Sequence, residues 1–154
     1  MLLKGKTAVI SGAASPRGIG RATARLFAEQ GARVAILDID GEGARKAATE
    51  LGEGHIGLGC DVADKSSCDN AASEVLKSFG HVDILINNAG VTQPVKTLEI
   101  DEASWDRILD INTKGVLFLS QAFLPAMRAR KKGSIACMSS VSAQRGGGIF
   151  GGPH

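Results

Sequence analysis

The sequence predicts an open, doubly wound α/β domain: a parallel sheet between two helical layers, three layers in all, incomplete on its C-terminal side. Three observations carry this. Short apolar runs alternate with longer stretches of helical period along the whole chain. Three of the runs are apolar nearly throughout, as parallel strands covered on both faces must be. A glycine-containing turn, Ser11-Gly12-Ala13-Ala14-Ser15-Pro16-Arg17-Gly18-Ile19-Gly20, joins the first apolar run to the first amphipathic stretch.

Strands are expected at 7–10, 33–37, 55–59, 82–86 and 134–138. The first helix, 19–30, carries a stripe of Ile19, Ala22, Thr23, Leu26 and Phe27, and Gly31 closes it. A second, over 41–51, turns Ala44, Ala47, Ala48 and Leu51 inward. The third starts near Asp64 or Ser66, either of which can cap it, and buries Ala72, Val75, Leu76 and Phe79 before Gly80 ends it. Residues 104–109 lead into a long helix over 113–131. Its apolar positions, Val116, Phe118, Leu119, Ala122, Phe123 and Met127, cover more than one face, so it is expected to touch both the sheet and a partner subunit. Pro125 is expected to bend or disrupt it. The tail, 144–154, is glycine-rich and reads as a mobile loop. No repeat or linker divides the chain, so residues 1–154 are read as the dinucleotide-binding portion of a single domain, linked by right-handed β-α-β crossovers.

Composition narrows the function. At 154 residues with 20 glycines and 4% aromatics, the chain suits a tightly turned α/β protein and lacks the stacking side chains of a nucleic-acid reader. Eighteen basic and sixteen acidic residues are interspersed, for a net charge of +2. The one basic cluster, Arg128-Ala129-Arg130-Lys131-Lys132, falls at a helix end, where solvated cations interact favourably with the dipole. Neither nucleic acid nor a membrane is expected as a partner, since no apolar run approaches the length of a span. Cys60, Cys68 and Cys137 are odd in number, with no C-x-x-C pair, which fits reduced thiols in the cytoplasm and no metal site.

The turn carries the chemistry. Gly12, Gly18 and Gly20 allow close backbone approach, and the free amides at a helix start favour a diphosphate. The spacing departs from G-x-G-x-x-G, but Asp38 ends the second strand twenty residues beyond Gly18, where a carboxylate can accept both hydroxyls of an adenosine ribose. Ser15, Arg17 and Ile19 lie in the turn and Ile39 follows Asp38; all four join the expected cofactor set. Asp38 disfavours a 2′-phosphate and Arg17 favours one, so NAD leads with NADP left open. Asp61 can take an adenine amino group while Val62 contacts the ring. Asn87-Asn88-Ala89-Gly90 follows the fourth strand beside the switch point of the sheet. Together these features describe a Rossmann-type nucleotide site.

These segments, with Asn112 and Ser139-Ser140, recur in the order seen in the classical short-chain dehydrogenase/reductase family, which the whole chain resembles. The resemblance implies a seven-stranded sheet of which the first five strands are present here. It implies hydride transfer between a nicotinamide cofactor and a carbonyl or secondary alcohol of a small-molecule substrate, in a homodimer or homotetramer. Gly12, Gly18 and Gly20 match the phosphate-loop glycines, Asp38 the NAD-selecting acid, and Asp61 and Val62 the adenine contacts. Asn88, Ala89 and Gly90 match the stretch beneath the cofactor. Asn112 matches the asparagine whose backbone holds a relay water, and Ser140 the catalytic serine, with Ser139 and Ser142 close by. Two residues are inserted around Pro16 and Arg17. The family's Tyr-x-x-x-Lys segment is missing, for the chain contains no tyrosine. The resemblance therefore implies a chain truncated just before that segment and inactive alone. A non-catalytic dinucleotide-binding or scaffold module, or a half-protein needing a complementary chain, is the alternative.

Overall fold

The computed structural model describes residues 1–142. Five parallel strands, β1 (Thr7–Ser11), β2 (Arg33–Asp38), β3 (Ile56–Gly59), β4 (Ile84–Asn87) and β5 (Ser134–Cys137), form one sheet in the order β3-β2-β1-β4-β5. The helices between them are α1 (Ile19–Glu29), α2 (Gly41–Thr49), α3 (Lys65–Phe79), α4 (Glu102–Leu109) and α5 (Gly115–Ala129). The register pairs Ile10 with Ile36 and with Ile86, so the chain's most apolar triplets lie side by side at the centre. Alternation then divides the core. Val9, Ala35, Leu37 and Leu85 face α3 and α5, while Ile10, Val34 and Ile36 face α1 and α2. This is the expected doubly wound, three-layer fold.

Two details differ from the sequence reading. The inner face of α1 is Gly20 and Ala24 with Phe27 and Ala28, whereas Ile19 and Leu26 are exposed. Small residues win the inward positions because they let the helix lie closer to the sheet than a leucine stripe would. Likewise α5 runs through Pro125 without interruption. Pro125 and Gln121 both lie on the exposed side, where water can satisfy the carbonyl that proline leaves without a donor. Gly57 shows the same close docking under α2. A Cβ there would stand 2.0 Å from the Ala44 carbonyl oxygen. Among the described residues, no helix is long and apolar enough to cross a membrane.

The N-terminal edge of the sheet is held by Asp83. Thr7 N donates to its Oδ2 at 3.1 Å and Arg130 Nη2 to its Oδ1 at 3.2 Å, with His81 Nε2 3.3 Å away. Arg130 is thus partnered within the fold rather than merely solvated. Burial pushes the Asp83 carboxyl up, but the Thr7 amide, Arg130 and His81 together hold it below the usual range. His55 sits beside β2, where Val34 N donates to its Nδ1 at 3.0 Å. Burial, then Arg33, lowers its pKa.

Because folding favours neutral His55, its contribution to stability is full above the ordinary histidine range, near 6.5, and is lost as pH falls through it. The urea midpoint of the full-length protein is expected to fall between pH 8 and pH 5, and His55→Gln to flatten that decline. A flat wild-type midpoint over this interval would contradict the assignment.

Candidate functional site

The site lies at the C-terminal strand ends, where β1 and β4 stand side by side and their connections leave on opposite faces. One polar clamp holds the two ends. Asn88 N and Ala89 N both donate to Ser11 Oγ at 3.0 Å, and Asn88 Nδ2 donates to the carbonyls of Ser11 and Gly12 at 2.9 Å each. Gly12 follows with φ 65°, a left-handed conformation, and a Cβ there would meet Ala89 Cα at 2.6 Å. Gly20 lies beneath the same clamp, its absent Cβ 2.5 Å from Asn88 Nδ2. The glycines thus bring three segments into contact rather than merely loosening a loop.

Above the clamp opens a crevice of about 470 Å³, lined by Gly12, Ser15, Gly18 and Ile19 on one side and by Asn88, Ala89 and Gly90 on its floor. Gly18 caps α1 without a side-chain hydrogen bond, and no acidic residue occupies the first turn. By contrast Asp40, Asp64 and Asp101 cap α2, α3 and α4 with their carboxylates. The first amides of α1 are therefore left open to an anion. Asp38 and Ile39 form the far wall. Asp38 Oδ2 accepts from Ala14 N at 2.9 Å and Oδ1 from Asp40 N at 3.1 Å, which fixes the carboxylate and leaves each oxygen a further lone pair. Asp61 and Val62 continue this wall. Val62 is pinned from behind by α5, where a Cβ on Gly115 would come 2.8 Å from Val62 Cγ2.

A second hollow of about 350 Å³ shares the Asn88–Val91 floor and Met138 with the first, and holds Asn112, Ser139 and Ser140. Asn112 belongs to a π-turn, Asp110–Lys114, in which the Gly115 amide donates to the Asp110 carbonyl, five residues back. Its side chain grips Val91 at both ends: Oδ1 accepts from Val91 N at 2.9 Å and Nδ2 donates to Val91 O at 2.8 Å. Ser140 Oγ accepts from Ser142 N at 3.1 Å, so its own proton is free to donate outward. Asn87 lines this hollow too. Its Nδ2 donates to Ser120 Oγ at 3.2 Å, and its buried Oδ1 has no partner among the described residues.

Most residues singled out from the sequence thus line one continuous space. Two do not. Gly20 is a buried packing residue, and Arg17 lines a neighbouring hollow with Arg21 and Arg25 on the outer side of α1. Sequence reasoning missed Cys60, Val91, Arg107, Ile111 and Met138, all of which line the crevice. The four-residue spacing of Arg107, Ile111 and Gly115 was a usable signal for two of them. Cys60 is pulled below its usual range by a hydrogen bond from Cys68, against the effect of burial, while Cys68 is pushed up.

Residues 6–151 match the family model described as short chain dehydrogenase. An uncharacterized short-chain type dehydrogenase/reductase of Sinorhizobium fredii is 68% identical, covering 100% of this chain and 62% of the relative. A sorbitol dehydrogenase of Cereibacter sphaeroides is 43% identical over 98% of this chain and 59% of its own length. The crystal structure of a 3-ketoacyl-(acyl-carrier-protein) reductase from Brucella melitensis complexed with NADH superposes with a TM-score of 0.89 at 31% identity, covering 96% of this chain and 62% of that one. The chain therefore spans about three-fifths of the length of the relatives it matches.

Replacing Asn88 by Ala removes both donors from the clamp and leaves two carbonyls unsatisfied, at a cost of about 1–3 kcal/mol. Asn88→Asp keeps the size but turns a carboxylate on the same carbonyls and is expected to cost at least as much. Urea denaturation of the full-length variants measures both.

Proposed function

The chain belongs to the short-chain dehydrogenase/reductase family, and from that membership we propose that it forms the cofactor-binding portion of an NAD(P)-dependent oxidoreductase acting on a carbonyl or secondary alcohol. The observation that carries this reading is the continuity of the two hollows: an open helix start and a fixed carboxylate at one end, a serine hydroxyl at the other, with a common floor. The residues fit the cofactor. The uncapped α1 amides suit a diphosphate, Asp38 the ribose hydroxyls, and Asp61 with Val62 the adenine. A nicotinamide cofactor held by these residues would supply the hydride or take it up.

Everything else is the work of this chain's own residues. Ser140 donates its hydroxyl proton to the substrate oxygen and so holds the reacting carbon over the shared floor. Asn112 has committed its side chain to Val91, so in this reading its part in holding a water falls to the backbone carbonyl. Gly90 keeps the floor free of side chain. No tyrosine or lysine matching the family's proton-transfer pair lies among these residues, so none is assigned. Asp38 favours NAD, and NADP stays the alternative, although Arg17, the residue that would pair with its 2′-phosphate, lines the neighbouring hollow. The exposed Leu117 and Leu124 of α5 fit burial against a second copy, as in a homodimer or homotetramer. Free thiols at Cys60, Cys68 and Cys137 fit the cytoplasm. A second reading, dinucleotide binding without turnover, draws on the same crevice.

Fluorescence titration of the full-length protein with NADH and NADPH, and absorbance at 340 nm over a panel of ketones, sugars and polyols, separate these readings. Binding with turnover supports the first, binding alone the second, and no binding refutes both. Asp38→Ala is expected to weaken NADH and narrow its advantage over NADPH. Ser140→Ala is expected to lower kcat by about 10²–10³ while leaving cofactor affinity intact.

A further inference from the structure

Arg107 is the only cation lining the crevice among the described residues. It forms no ion pair and donates no side-chain hydrogen bond within the described fold. Nothing among the described residues therefore explains where its guanidinium stands. Its register does. Arg107, Ile111 and Gly115 follow one another at intervals of four, which puts them in a stripe on one side of the α4–α5 segment, and the first two line the crevice. The inner end of that stripe is fixed by Gly115 against Val62. Ile111, next along, packs on the cluster that contains Val62. Arg107, at the far end of the stripe from Gly115, is exposed where it lines the crevice.

We propose that Arg107 closes the adenine end of the crevice, laying its planar guanidinium on the purine that Val62 and Ile111 support from within. This deepens the dinucleotide reading and rests on it. A guanidinium suits the place because it is planar, weakly hydrated and attracted to a π face. It also offsets the two carboxylates, Asp38 and Asp61, that would otherwise repel a diphosphate entering the same space. The exposed Ile39, on the same wall as Val62, adds apolar surface for the purine.

The test uses the full-length protein and calorimetric titration with NADH, ADP-ribose, 5′-AMP and nicotinamide mononucleotide. Arg107→Ala is expected to weaken NADH, ADP-ribose and 5′-AMP by about tenfold and to leave nicotinamide mononucleotide unmoved. Arg107→Lys, which keeps the charge and loses the plane, is expected to remain weak. Because Arg107 is exposed and unbonded, both variants are expected to keep the wild-type urea midpoint, so a loss of affinity is not a loss of fold. Adenine-side affinities equal to wild type in Arg107→Ala, full recovery in Arg107→Lys, or an equal loss for nicotinamide mononucleotide would each overturn the assignment. Failure of the wild-type protein to bind any dinucleotide would remove the site itself.

Discussion

The site depends on keeping two parallel strand ends together at the point where their connections part. A sheet wound in both directions opens a crevice there, and main-chain pairing cannot continue across it. Ser11 and Asn88 supply the missing bonds with side chains: one hydroxyl takes two amides, and one amide group serves two carbonyls. The floor is thereby made rigid without being filled. Gly12 and Gly20 follow from the same constraint, since a methyl group at either position would occupy the volume that the clamp needs.

Much of this was legible in the sequence because the relevant signals are local. Strand cores such as Thr7–Ser11 are apolar on both faces, and Gly80 in a left-handed conformation ends α3 as a glycine should. Asp38 is found by counting residues from the turn. What was not legible came from packing between distant elements. The inward face of α1 is written in glycine and alanine, residues that carry no hydrophobic period strong enough to outweigh Ile19 and Leu26. Arg17 sits in the turn yet faces away from the crevice, because a loop with two extra residues can carry a side chain to either side. Arg107 lies about seventy residues beyond Asp38, and only the fold brings the two to one space.

The helix starts make a further contrast. Three helices are closed by an aspartate at the cap, and α1 is left open. An aspartate at Gly18 would satisfy those amides and stabilise the helix by about 1 kcal/mol, but its charge would stand where a diphosphate belongs. The unfilled cap leaves those amides free for the diphosphate of the proposed cofactor.

The two-ended grip of Asn112 on Val91 has a mechanical meaning. It rivets the segment after β4 to the junction between α4 and α5, so floor and wall travel as one rigid piece. A displacement at either end is transmitted whole, as by a lever with its pivot at the amide. Whatever docks on the outer surface of α5 is thereby joined, through a single side chain, to the floor shared by the two hollows.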